Sequence, residues 1–144
     1  RGIAPDACSS WFLPRLVGIS KSLEWCFSGE MIDVDTALSS GLISYKVEPD
    51  ELINKSIEIA KKIIKESSPV SVALTRQMIW GLSQKDSPEY AHKVDSKVIE
   101  SRGKSKDAAE GVMSFLEKRE AVFENKVSKD MPDFFPFEND NFKD

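Results

Sequence analysis

Residues 42–47 decide the fold, and they read Leu-Ile-Ser-Tyr-Lys-Val. Alternate side chains of this run point to opposite faces if it is extended, and Pro49 closes it, which is typical of a β-strand. No other stretch predicts a strand. A lone strand leaves its edge hydrogen-bonding groups unpaired. We therefore expect its partner strands to come from sequence that precedes Arg1, where the chain opens without an initiator Met.

Helical periodicity predicts α-helices over most of the remaining sequence. Ser68-Pro69 and Ser87-Pro88 each place a capping residue before a proline, which is a frequent helix start. Asp107 with Glu110 three residues later predicts a capping box for the last helix. The predicted helices cover residues 9–17, 20–28, 33–41, 51–67, 69–81, 88–101 and 107–119.

Composition excludes two classes of partner. The 144 residues carry a net charge of -4 with acidic and basic residues interleaved, so no broad basic face suits nucleic acid. Apolar runs are far too short to cross a bilayer, which argues against a membrane protein. With only two cysteines, Cys8 and Cys26, a disulfide framework is excluded and a reducing, cytoplasmic location is expected.

Three stretches, in this order, resemble the crotonase (enoyl-CoA hydratase/isomerase) superfamily. Residues 1–18 hold a Gly-Ile-x-Pro turn and a helix that ends in Arg-x-x-Gly. Residues 23–47 hold Ser28-Gly29 and then Gly41-Leu42-Ile43 before the predicted strand. Residues 110–119 read Glu-Gly-x-x-x-Phe-x-Glu-Lys-Arg, like the closing motif of the family. The likeness covers residues 1–119.

The resemblance implies an α/β crotonase (ClpP/crotonase-like) fold of repeated ββα units followed by a helical trimerisation region. This chain is then its C-terminal half, mainly α with one short strand from the end of the core. Residues 1–68 correspond to the end of the ββα core and residues 69–119 to the helical region that oligomerises and contacts coenzyme A. Residues 120–144 form an aromatic tail.

The resemblance also implies an activity. Family members bind an acyl-CoA thioester and stabilise an enolate-like oxyanion with two backbone N–H groups, which is usually the largest contribution to rate. Those donors and the two catalytic glutamates of hydratases are expected before Arg1, so the chain alone is expected to be inactive. Coenzyme A enters as part of the substrate, with no permanently bound cofactor, and the assembly is a homotrimer or a dimer of trimers. The alternative is a non-catalytic helical interaction module or a pseudoenzyme fragment.

Asp6 is the candidate catalytic residue within the chain. By the spacing from Pro5 to the Arg-x-x-Gly end of the helix, it matches the catalytic aspartate of dienoyl-CoA isomerases and of the chlorobenzoyl-CoA dehalogenase branch. A carboxylate at the mouth of an apolar pocket is able to transfer a proton. The alternative is a charge that faces the dipole of the following helix. Ordinary hydratases have a small residue here.

The same resemblance gives candidate residues for the acyl pocket, since the first two helices wall it in the family. These residues are Ala7, Cys8, Ser9, Trp11 and Trp25. Core packing is the alternative for the two tryptophans. A nucleophilic role for Cys8 or Ser9 is not expected, because no base lies nearby in sequence.

Phe115 and Lys118 are the candidate coenzyme A contacts. They lie three residues apart on the closing helix, so they share one side of it. In the family this region approaches the adenine and phosphates of coenzyme A, commonly from a neighbouring subunit. An aromatic ring and an ammonium group suit stacking and phosphate pairing. The alternative is a core phenylalanine beside a solvated lysine.

The remaining candidates have simpler expectations. No set of residues has the type and spacing of a metal site. His92, the one histidine, is expected to be a solvated surface residue. The tail carries Phe134, Phe135 and Phe137, which we expect to dock on the same or a neighbouring protomer.

Overall fold

The structure is a computed structural model that describes residues 2–135, apart from the side chain of Glu66. Eight α-helices follow one another in the described range, and a 3₁₀ turn at Pro49–Glu51 precedes the fourth. The helices are α1 Ser9–Val17, α2 Ile19–Ser28, α3 Val34–Ser39, α4 Leu52–Glu66, α5 Pro69–Leu82, α6 Pro88–Gly103, α7 Lys106–Glu117 and α8 Val127–Asp130. The predicted helices are confirmed to within a few residues; the short α8 was not predicted.

The strand predicted at residues 42–47 is absent. The backbone N–H groups of Leu42 and Ile43 donate to the carbonyl of Ala37, at 2.9 and 3.3 Å, and so complete the end of α3. Nowhere between residues 2 and 135 does the chain form a strand. A strand exists only through lateral hydrogen bonds, and the described backbone offers no partner for one. The expectation of a strand within this chain is therefore wrong.

The chain divides into two compact units, and the boundary lies between Lys55 and Ser56, within α4. In the first unit α1 packs on α2, and Ser22 and Ala37 are its buried residues among those described. The predicted boundaries at residues 68 and 119 separate regions by their role in the family and not by how they pack. They stay a prediction.

The second unit has a continuous apolar core. Val70 and Leu74 of α5 meet Val94 and Val98 of α6. Phe134 completes this cluster, and Phe135 packs against it. Docking of these two phenylalanines on their own protomer is thus confirmed, while Phe137 lies outside the described residues.

Only some of the predicted capping residues cap their helices. Asp33 and Ser87 accept hydrogen bonds from the first turns of α3 and α6. At α7, however, Ser105 caps the helix by accepting from the N–H of Ala108 at 3.1 Å. The predicted capping box at Asp107 is therefore wrong, because that carboxylate is buried and bonded elsewhere. At α5, Ser68 stands at the capping position but gives its hydroxyl to another partner.

The amphipathic helix predicted at residues 51–67 is present as α4, but its apolar side is open. Ile53, Ile57 and Ile64 are all exposed. Within residues 2–135 no helix is both long and apolar enough to cross a membrane.

Candidate functional site

The first two helices form an apolar groove. Gly18 connects them with a φ of 81°, a left-handed value that glycine adopts at no steric cost, so α2 begins as soon as α1 ends. Ser22 Oγ donates to the Gly18 carbonyl at 2.7 Å and holds this corner. The groove has a volume of about 420 Å³. Its walls include Pro5, Ser9, Leu13, Leu23, Cys26 and Phe27.

A strained turn leads into the groove. Ala7 and Cys8 both have left-handed backbones, with φ of 48° and 61°. The left-handed conformation costs a non-glycine residue about 1–2 kcal/mol. Ser9 holds the turn, because its N–H and its hydroxyl both donate to the Asp6 carbonyl, at 2.8 and 2.6 Å. Backbone strain of this kind is concentrated at functional sites.

Asp6 is not among the residues that line the groove, but its neighbours in the sequence are. Pro5 before it and Ser9 after it both line the cavity, and the Asp6 side chain is exposed. No acidic residue stands in the first turn of α1 itself.

The candidate pocket residues are only partly brought together. Ser9 lines the groove, whereas Ala7 and Cys8 form the turn that leads into it. Trp11 packs edge-on against Phe12, with ring centroids 4.7 Å apart, and under the Arg15 guanidinium at 3.9 Å.

Trp25 is half-buried beside Lys21, whose ammonium lies 5.9 Å from the ring centroid. Sequence reasoning missed Leu13, Leu23 and Phe27 as lining residues. Their signal was the spacing of Leu23 and Phe27, four residues apart on one side of α2.

Phe115 and Lys118 form an exposed corner at the end of α7. The Phe115 side chain is 82% exposed, so the alternative of a core phenylalanine does not hold in this chain. Lys118 ends the helix in a left-handed conformation, with φ of 54°, and its N–H donates to the Phe115 carbonyl at 3.3 Å.

An ion pair lies directly beside this corner. Arg119 donates two parallel hydrogen bonds to the Glu110 carboxylate, at 2.5 and 2.8 Å, and a third to Glu117 at 2.6 Å. The hydrogen bonds from Arg119, and then that from the Val122 N–H, lower the pKa of Glu110 from 4.5 to about 2. The same carboxylates raise the pKa of Arg119 further above its usual value.

Asp107 joins three segments in the interior of the second unit. It is 3% exposed and accepts the Ser68 hydroxyl at 2.6 Å. It also accepts the backbone N–H groups of Glu124 and Asn125, at 3.0 and 3.1 Å. A contact 39 residues apart in sequence leaves no local signal, and so the sequence did not reveal this site.

The remaining candidates lie at the surface. His92 is exposed, as expected. Cys8 and Cys26 are free and exposed. The described part of the chain contains no cluster of three or more histidine, cysteine, aspartate or glutamate side chains placed to hold a metal ion.

Known proteins resemble the chain in sequence over most of its length. Residues 1–126 match the family model for enoyl-CoA hydratase/isomerase. An enoyl-CoA hydratase of Alternaria alternata is 39% identical over 88% of this chain and 43% of its own length. A short-chain-enoyl-CoA hydratase of Clostridioides difficile is 33% identical over 79% of this chain and 72% of its own length.

Solved structures give the same result. An enoyl-CoA hydratase of Bacillus anthracis superposes with a TM-score of 0.81 at 30% identity, over 87% of this chain and 48% of that one. A probable enoyl-CoA hydratase/isomerase of Mycobacterium abscessus also gives 0.81, at 27% identity, over 87% and 49% of the two chains. The chain thus spans about half the length of most of the relatives it matches. The predicted crotonase relationship is confirmed, and the chain belongs to the enoyl-CoA hydratase/isomerase family.

Proposed function

We propose that this chain is the C-terminal part of an enoyl-CoA hydratase/isomerase that acts on an acyl-CoA thioester through an oxyanion-stabilised enolate. The observation that carries the proposal is the apolar groove between α1 and α2, which follows the strained turn at Ala7 and Cys8. The groove suits the acyl chain, and Asp6 lies in the sequence between two of its lining residues, Pro5 and Ser9.

We propose that the catalytic groups are divided between this chain and the sequence that precedes it in the complete protein. The backbone N–H groups of the oxyanion hole and the hydratase glutamates are proposed to lie in sequence before Arg1. The chain on its own is then inactive, and it acts within a cytoplasmic homotrimer or dimer of trimers. Coenzyme A comes and goes with the substrate, and no cofactor stays bound.

Asp6 is proposed to move a proton to or from the acyl chain. Its side chain is exposed in the described chain, so solvent and a bound substrate both have access to it. A positioned acid or base typically contributes about 10²–10⁴-fold to rate. The proposal favours isomerase-type proton transfer over plain hydration, in which this position is a small residue.

Phe115 and Lys118 are proposed to meet the adenine and a phosphate of coenzyme A bound by a neighbouring subunit. The exposed ring offers a stacking face, and the ammonium group offers a charge-assisted hydrogen bond.

Turnover of enoyl-CoA thioesters by the complete protein tests the catalytic proposal. Asp6→Asn keeps the size of the side chain and removes its acid–base chemistry, so we expect kcat to fall about a hundredfold or more with little change in KM. The matched control is Asp50→Asn, an exposed carboxylate in the 3₁₀ turn, which should leave kcat unchanged. An unchanged kcat in Asp6→Asn would assign Asp6 to the dipole of α1 instead.

The second candidate is a non-catalytic helical interaction module. The exposed apolar side of α4, with Ile53, Ile57 and Ile64, favours it because such a surface suits a partner. Calorimetric titration of the complete protein with an acyl-CoA distinguishes the two. Absence of any thioester binding would overturn the enzyme and favour the module.

A further inference from the structure

One arginine side chain closes the sharp turn at the end of α7. Arg119 Nη1 and Nη2 donate to the two carboxylate oxygens of Glu110, and its Nε donates to Glu117. A guanidinium that binds a carboxylate through two parallel hydrogen bonds has a fixed orientation as well as a charge. We call Glu110, Glu117 and Arg119 the closing clasp.

The clasp also fixes the backbone that follows it. The Val122 N–H donates to the same Glu110 carboxylate at 2.7 Å. Arg119 Nη1 donates in addition to the Glu120 carbonyl at 3.1 Å. The chain after Arg119 is therefore held against the start of α7, where Glu110 lies.

Lys118 is the one residue between the two clasp members Glu117 and Arg119. Its left-handed backbone, φ 54° and ψ 41°, is unfavourable for a residue with a side chain. Such a conformation persists when the surrounding structure fixes it. Here the clasp holds the residues on both sides.

We propose that Glu110 and Arg119 are positioning residues, which hold Lys118 and Phe115 in the geometry that receives the nucleotide end of coenzyme A. The inference rests on the proposed function, because it takes these two side chains as the coenzyme A contacts. Without the clasp, only the backbone hydrogen bonds at the end of α7, such as that from the Arg119 N–H to the Ser114 carbonyl at 3.0 Å, hold Lys118, and its ammonium is less well fixed at the phosphate. The clasp itself touches no substrate atom and takes no part in the reaction at the acyl chain.

The Glu110 carboxylate of the clasp keeps its charge near neutral pH. The pKa of Glu110 is lowered to about 2, so its carboxylate is ionised throughout the neutral range. The effect of the clasp on coenzyme A binding is therefore independent of pH near neutrality, which separates it from any step that uses a titrating acid or base.

Steady-state kinetics of the complete protein with two substrates tests the proposal. The substrates are an enoyl-CoA and the same acyl group on pantetheine, which lacks the nucleotide. We expect Arg119→Ala to raise KM for the coenzyme A thioester about tenfold with kcat changed less than about twofold. KM for the pantetheine thioester should stay the same. Arg119→Lys keeps the charge but not the paired hydrogen bonds, so it should raise KM by about threefold.

The matched control is Glu100→Gln. Glu100 forms an exposed ion pair with Lys104 at 2.6 Å at the end of α6, away from the corner. It should leave both KM values unchanged.

Three results would overturn the inference. Equal changes on both thioesters, together with a lower melting temperature, would show that Arg119 only stabilises the fold. A selective rise of KM in Phe115→Ala and Lys118→Ala but not in the Arg119 variants would leave the proposed contacts intact and remove the clasp from their positioning. If Phe115→Ala and Lys118→Ala also lack a selective effect, the proposed coenzyme A contact itself is wrong, and the inference fails with it.

Discussion

The two units of the chain differ in how they use their apolar side chains. In residues 56–135, Val70, Leu74 and Val94 are almost fully buried in a shared core. In residues 2–55, Phe27 is 82% exposed and Met31 is 96% exposed, although both units are rich in apolar helix positions. Amphipathic sequence thus predicts a helix face in each unit, but long-range packing decides whether that face becomes a core. In the first unit, the exposed side chains of Leu23 and Phe27 line a groove and do not form a buried cluster.

The largest predicted effect is a difference in the free energy of unfolding when the same substitution, leucine to alanine, is made in each unit. Leu74→Ala leaves a cavity in the core of the second unit, which should lower the free energy of unfolding by about 3–4 kcal/mol. Leu23→Ala, at the half-open wall of the groove, should cost less than about 1 kcal/mol, because Leu23 is 46% exposed. Urea unfolding of both variants measures this. Similar losses would contradict the division into a packed unit and an open one.

Removal of the tail aromatic should have the next largest effect. Phe134 is 8% exposed among core residues of α5 and α6, and the Lys97 ammonium lies 5.1 Å from its ring centroid. We expect Phe134→Ala to cost about 3 kcal/mol. The control Phe135→Ala, at a partly buried side chain, should cost clearly less. Thermal unfolding compares the two, and an unchanged melting temperature in Phe134→Ala would exclude the tail from the core.

Asp107 tests the polar part of the same unit. Asp107→Ala leaves the Ser68 hydroxyl and the N–H groups of Glu124 and Asn125 without their acceptor, which should cost about 2 kcal/mol. Asp107→Asn keeps one oxygen and should lose about half as much. Chemical denaturation measures both, and equal stability of the wild type and Asp107→Ala would mean that water replaces the carboxylate at no cost.

The smallest expected effect is a pH dependence from Glu110. Its folded pKa of about 2 lies below the ordinary value of 4.5, so the folded state gains stability above pH 4.5 and loses it as the pH falls towards 2. Glu110→Gln removes that gain. The melting temperatures of the wild type and the variant should differ most near neutral pH and converge between pH 4.5 and 2. A difference that is constant over this range would show that ionisation of Glu110 does not contribute.

Local signals in the sequence predicted the helices well, because caps and periodicity act within a few residues. Ser87 caps α6 as predicted. Ser105 and Asp107 show the limit of such signals. Either residue is able to cap α7, and only the burial of Asp107 against Ser68 decides between them.

The site was predictable in part for the same reason. The motifs identified the family and directed attention to Asp6 and the first helices. They did not predict the left-handed turn at Ala7 and Cys8, since neither residue favours that conformation by itself. The prediction of a strand at residues 42–47 failed because alternating side chains show only that a segment is able to fit into a sheet. A sheet also needs a second strand to pair with it.

Ser68 has a consequence for attempts to engineer this protein. Replacing a helix-capping serine with aspartate is a usual way to raise thermostability, since a carboxylate suits the positive end of a helix. Here the serine hydroxyl donates a hydrogen bond to Asp107. An aspartate at this position would place two acidic groups against each other in a buried site. A routine stabilising mutation at Ser68 should therefore weaken the protein, and this junction tolerates only a residue that can donate.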